Sequence, residues 1–210
     1  MKKLAFGLIA TVFFGNMSFG QNSDFKELYN QYINSSSYED FKVSFAKYYD
    51  MLNIDSDKIN FKTESDIKDW VNNNINKTSF GSLEKYNQDF ENLKKKFISL
   101  AEENSLLFKE LTNNQKDYVT FLNIESNEVI TSYVSGRILA GVNDCINDAV
   151  DCQNDANDNY AAGIGGSGLS FFYNPIVAAG TAIVATIVHH NAINGCNRTF
   201  RNCIHNCCGY

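Results

Sequence analysis

All six cysteines of this 210-residue chain lie after Gly141, and four of them fall into two pairs of identical spacing: Cys145 and Cys152 are seven apart, as are Cys196 and Cys203. A step of seven returns a side chain to nearly the same face of an α-helix. Two such helices laid antiparallel bring Cys145 opposite Cys203 and Cys152 opposite Cys196. The same register sets Asp148 level with Arg201 and Asp151 level with Arg198, so the charges favour the same pairing. All five acids after Gly141 (Asp144, Asp148, Asp151, Asp155 and Asp158) fall on the first helix, and both arginines on the second. Ala149 and Ala156 facing Ile193 and Phe200 complete a narrow apolar seam. Six cysteines allow fifteen connectivities, and the ladder is the one this geometry favours. Each rung is expected to stabilise the fold by roughly 2 to 4 kcal/mol. Cys207 and Cys208 then have Gly141 and Ala140 opposite them, and are expected to join each other or to link two chains as a homodimer.

Disulfides persist in oxidising compartments, and the N-terminus agrees with one. Met1-Lys2-Lys3 is a basic start, Leu4 to Phe14 is an unbroken run of apolar or small residues, and Ser18 and Gly20 place small residues before Gln21. That is the order of parts in a cleavable signal peptide. The apolar run, about eleven residues, is too short to cross a bilayer as a helix. The mature protein is therefore expected to be secreted or periplasmic, after cleavage near Gly20.

Between signal and cysteines the pattern is helical. Proline occurs once, at Pro175, which removes the strongest helix breaker from everything before it. Tyr38, Phe41, Phe45, Tyr48 and Leu52 recur at steps of three and four behind Ser36 and Glu39, a capping-box pattern. Phe25, Leu28 and Tyr32 form a shorter stripe before it. Ile67, Trp70, Val71 and Ile75 form another behind Thr63 and Asp66. After Ser82, the stripe Leu83, Tyr86, Phe90, Leu93, Phe97 and Leu100 continues to Leu107 and Leu111, predicting one helix of about 28 residues, roughly 42 Å long. Residues 113–140 are mixed: Tyr118 to Phe121 have strand composition, whereas Val129, Ile130, Tyr133 and Val134 pair at helical spacing, so a helix is expected from Asn127 onward. The expected fold is all-α: a signal peptide over 1–20, a helical bundle-like body with a long central helix over 21–140, and a disulfide-stapled antiparallel helical hairpin over 141–210.

A net charge of −6 argues against nucleic acid, which needs clustered cations to displace counterions. The one basic cluster, Lys94-Lys95-Lys96, spreads around a helix and reads as a solvated face. Gly163-Ile164-Gly165-Gly166-Ser167-Gly168 matches a dinucleotide-binding fingerprint in letters, but no strand pattern precedes it and no acid follows at the required distance. A turn joining the two hairpin helices is the expected role. Asp155, Asn157 and Asn159 begin like a calcium loop, but Tyr160 stands where its glycine belongs. His189, His190 and His205 lie near thiols, yet oxidation competes with zinc for the sulfurs; His189 is expected on the hairpin face and His190 in solvent. Ser167 lacks a nucleophile elbow, and Glu102 and Glu103 diverge on their helix. No cofactor, metal or catalytic residue is nominated.

Between Asp158 and Arg198 there is no charged side chain other than histidine, and Ile176 to Val188 is apolar nearly all round. Such a helix must be buried in something. Ile176, Val177, Ile183, Val184, Ile187 and Val188 are its large residues, facing either a protein core or a membrane. Over residues 161–195 the texture resembles that of bacteriocins and small pore-formers, without a family motif. The expected function is that of an exported, non-enzymatic structural or protein-interaction module; the alternative is a membrane-active effector using 161–188.

Overall fold

Hydroxyl side chains placed just ahead of each apolar stripe fix where the helices start, because they accept hydrogen bonds from N–H groups that the first turn leaves unpaired. The computed structural model describes residues 23–54, 59, 61–113, 142–171 and 173–208. The protein is all-α, and among the described residues seven helices form and no strand: α1 (Ser23–Ile33), α2 (Ser36–Leu52), α3 (Glu64–Asn74), α4 (Leu83–Glu103), α5 (Ser105–Asn113), α6 (Val142–Phe171) and α7 (Pro175–Cys208). The signal segment, the mixed stretch around Tyr118 and the helix expected from Asn127 lie outside the described residues, as does the expected boundary at Gly141.

Thr63 and Asp66 cap α3 reciprocally: the Thr63 hydroxyl accepts from the Asp66 N–H at 3.2 Å, and Asp66 accepts from the Thr63 N–H at 2.8 Å. Ser82 caps α4 by accepting from the Lys85 N–H. At α2 the cap is Ser35, one residue earlier than the capping-box pattern at Ser36 indicated. The Ser35 hydroxyl donates to the Tyr32 carbonyl at the end of α1, accepts from the Tyr38 N–H, and lies 3.5 Å from the Asn104 side-chain amide. One hydroxyl thus ties together the end of α1, the start of α2 and the end of α4, which a serine one residue later in the chain does not do.

Asn104 also corrects the expectation of a single 28-residue helix. It interrupts the stripe between α4 and α5, with its amide donating back to the Leu100 carbonyl at 2.9 Å and its own carbonyl accepting from the Phe108 N–H. A short amide side chain that bonds its own backbone competes with helix continuation. The apolar stripe survives the break, because Leu107 and Leu111 are buried like Leu93 and Leu100 before it.

A second correction concerns the glycines. The run Gly163 to Gly168 does not form the hairpin turn; α6 continues through it to Phe171, and the antiparallel return helix α7 begins at Pro175, after a turn at Tyr173. Pro175 opens α7 at the first helical position, where its missing N–H costs nothing. Asn174 caps it, its side-chain oxygen accepting from the Val177 N–H. Each glycine in a helix costs about 1 kcal/mol against alanine, and at Gly163 packing explains its use. A Cβ there would lie 2.7 Å from the Cβ of Ala185, so the two helices touch at a place where only a hydrogen fits.

The main core joins both halves of the chain. Phe41, Phe45, Tyr48, Phe80, Tyr86, Phe90 and Phe97 of the body pack with Ala161 and Ile164 of α6 and with Ala179, Ala182, Ile183, Val184 and Ile187 of α7. A second, smaller cluster of Cys145, Ala149 and Phe200 lies apart from it, at the other end of the hairpin.

Candidate functional site

The hairpin carries nearly every chemically distinctive side chain, arranged in three zones along its length. The outer zone holds sulfur. Cys145 is bonded to Cys203 and Cys152 to Cys196, with Cα separations of 5.7 and 5.8 Å. Cys207 is also a disulfide cysteine, and its Sγ lies 3.9 Å from that of Cys145. Cys207 sits one turn beyond Cys203 on the same face of α7, and both sulfurs converge on Cys145. The side chain of Cys208 lies outside the described residues. Asp144, Asp148, Asp151, Asp155 and Asp158 are all exposed, forming a stripe of steps four, three, four and three beside the cysteines. Asp148 and Arg201 do not form the expected ion pair; Arg201 donates from Nε to the Asn197 carbonyl on its own helix, in keeping with the small worth of an exposed pair.

The middle zone is a buried polar seam. Ala149, Gln153, Asn157 and Ala161 step by four along α6 and are all buried. Gln153 donates to Asn197 at 3.0 Å, and Asn157 Oδ1 lies 2.9 Å from His189 Nε2, a contact suited to the Nε2–H tautomer. Tyr160 stacks on His189 with ring centres 4.4 Å apart. Burial lowers the His189 pKa to about 3, with neighbouring His190 adding to the shift, so the ring is neutral at ordinary pH. His190, expected in solvent, is instead buried: it meets Tyr49 edge-on at 4.4 Å and Phe45 at 6.2 Å. The body docks on this face of α7, and burial lowers the His190 pKa as well. Tyr49 adds a hydrogen bond to Asn191 at 3.4 Å.

The inner zone is apolar. Ile183, Val184 and Ile187 are buried, Val188 is half-buried, and Ile176 and Val177 are 57 % and 56 % exposed beside Tyr173 at 91 %. Here α7 crosses the body next to a buried cation. Lys94, expected on a solvated face, is 5 % exposed, with its ammonium 2.6 Å from Glu91 and 3.2 Å from Glu64 and 5.2 Å from the centre of the Phe90 ring. Gly180 makes room for this cluster, since a Cβ there would lie 2.7 Å from a Glu64 carboxylate oxygen. The Lys94 stem lies along apolar surface while its head stays paired. Lys95 remains exposed.

Sequence reasoning placed the sulfurs and the apolar helix on the hairpin but missed the seam. The signal was present, since Gln153 and Asn157 occupy the same four-residue row as Cys145, Ala149 and Ala161. Among the described residues, no group of three metal-ligating side chains comes together. These features define a class: an all-α protein whose C-terminal helical hairpin is stapled by disulfides at one end and packed into a helical body at the other. No protein-family model matches this chain, nor does any curated protein or solved structure.

Proposed function

We propose that the chain is an exported, non-enzymatic interaction protein that offers its stapled arm to a protein partner. The observation that carries this reading is the burial of the apolar stretch of α7: Ala178, Ala179, Ala182, Ile183, Val184 and Ile187 lie inside the protein. What the hairpin turns outward beyond the shared core is the stripe of five aspartates, a surface that attracts cationic partners and repels anionic ones. The staple keeps that stripe rigid, which lowers the entropy lost on binding. Photo-crosslinking side chains at Asp148 and Asp155, compared with Asp40 on the body, test the reading in producing cells. Discrete adducts from the arm positions alone support it, and equal or absent labelling at all three sites rejects it.

A membrane-active role is the second reading, favoured by one observation. The α7 helix is long and apolar enough to cross a bilayer, with a mean hydropathy of 1.6 over its most apolar window, and Tyr173, Ile176 and Val177 form an exposed apolar tip where it begins. Ile183 and Val184 are unsuitable places to test this, because an aspartate there would disrupt the core. Dye release from anionic vesicles by the oxidised protein, abolished by Ile176→Asp or Val177→Asp, supports the membrane role; no release at micromolar protein rejects it.

A further inference from the structure

We propose that His189 and His190 form an acid latch: on taking up protons they release the inner half of α7 from α2 and α6, while the Cys152–Cys196 bond keeps it tethered. The latch depends on neither function proposed above. It rests first on where the two rings stand. Consecutive residues of a helix point about 100° apart, and here each histidine enters a different interface of the same helix. His189 faces α6, with Nε2 2.9 Å from Asn157 Oδ1 and its ring stacked on Tyr160. His190 faces the body and is buried against Tyr49 and Phe45 of α2. A single turn of α7 thus carries a titratable group into both of the contacts that seat it.

The surroundings favour neutral rings. Among the described residues, the titratable or charged groups facing the pair are Tyr160 from α6, Tyr49 and Asp50 from α2, and on α7 each other, with Arg198 two turns on acting on Tyr49. Burial depresses His189 to about 3, and neighbouring His190 adds to the shift; burial depresses His190 by more than the Asp50 carboxylate raises it. Freed into water, both rings return toward about 6.5, so the open state binds protons that the closed state excludes. Each histidine then favours opening by up to about tenfold per pH unit below 6.5, and His189 alone by up to about a thousandfold at pH 3.5. The second observation is the position of the staple. Cys196, bonded to Cys152, lies seven residues beyond His189, about two turns. That bond survives acid, because exchange needs a thiolate, and the released segment swings on a fixed rung. It uncovers Ala179, Ala182, Ile183 and Ile187 of α7 and Phe45 of α2. The other ionisable cluster at the α7 crossing, Lys94 with Glu64 and Glu91, lies beside Gly180, about 15 Å along the helix from His190, so histidine variants leave it in place.

Carbene footprinting of the oxidised protein, in steps from pH 7.5 to 3.5, tests the latch by reading side chains directly. Labelling of Ile183, Ile187 and Phe45 is expected to rise together, by roughly fivefold or more. Phe80 and Tyr86, which pack on Tyr48 inside the body, are expected to stay protected at that pH. No rise down to pH 3.5, or exposure of Phe80 and Tyr86 at the same pH as Ile183, would overturn the proposal from the parent protein alone. His190→Phe keeps a ring against Phe45 and Tyr49 but takes no proton, and His189→Gln keeps a donor for Asn157. The two together are expected to move the rise lower by about one pH unit or more, and a double variant that opens at the parent's pH contradicts the latch.

Discussion

At its outer end the hairpin has a core of little more than Cys145, Ala149 and Phe200, and two disulfides hold it; at its inner end the same two helices supply Ala161, Ile164, Ala179, Ala182, Ile183, Val184 and Ile187 to a core shared with the aromatic body. The contrast shows what each device is suited to. A pair of helices without a third layer buries too little to order itself, so covalent rungs that restrict the unfolded chain take over. Where a third layer is present, each fully buried large apolar side chain contributes roughly 1.5–3 kcal/mol, and the helices tolerate glycines that would weaken them in isolation.

The sharpest way to break the comparison is to remove one side chain from each side of α7. Ile183→Ala is expected to cost about 2–5 kcal/mol, by lost transfer energy plus a cavity. Ile176→Ala, at the exposed tip, is expected to stay within about 0.5 kcal/mol of the parent. Urea unfolding of the two variants checks this, and equal costs would mean that α7 is not seated in the body as described.

Acid probes the polar seam between the two ends. Burial holds His189 at about 3 instead of 6.5, so between those values the unfolded chain binds a proton that the folded state refuses. Stability therefore falls as the pH drops from about 6.5 toward about 3, by at most ~1.4 kcal/mol per pH unit from this group. His190 acts in the same direction. Asp66, whose carboxylate is held below its ordinary range by the N–H groups of Lys62 and Thr63, adds a loss only at the acid end. His189→Gln is expected to reduce the slope between about pH 6.5 and 3, leaving the smaller contributions of His190 and, at the acid end, Asp66; an unchanged slope in chemical unfolding would remove His189 from this account.

Two glycines refine the picture further. Gly163→Ala forces a methyl against Ala185 and is expected to cost about 1–3 kcal/mol in thermal unfolding, despite its better helix propensity. Gly195 has open space where its Cβ would stand, so Gly195→Ala is expected to stabilise the outer half by about 0.5–1 kcal/mol.

Much of this architecture was legible where a side chain's periodicity or chemistry speaks for itself. The stripes through Phe41, Phe45 and Tyr48 and through Tyr86, Phe90 and Phe97, the Thr63–Asp66 cap, and the seven-residue cysteine steps each need only their own helix to be interpreted. What was hidden depends on a neighbour. Nothing local marks Gly163 as helical until Ala185 is against it, or Lys94 as buried until Glu64 and Gly180 close around it. His190 looks like a surface residue until Tyr49 and Phe45 of α2 reach across. The Asn104 break was hidden because the apolar stripe continues on both sides of it.

Amide hydrogen exchange on the oxidised and fully reduced protein, read by mass spectrometry, tests the division of the hairpin most directly. On reduction, residues 142–157 and 196–208 are expected to lose protection, while 176–191 keep theirs because the body still covers them. Loss of protection over 176–191 together with, or ahead of, the cysteine-bearing ends would contradict the account, since the apolar helix would then depend on the staple and not on the core.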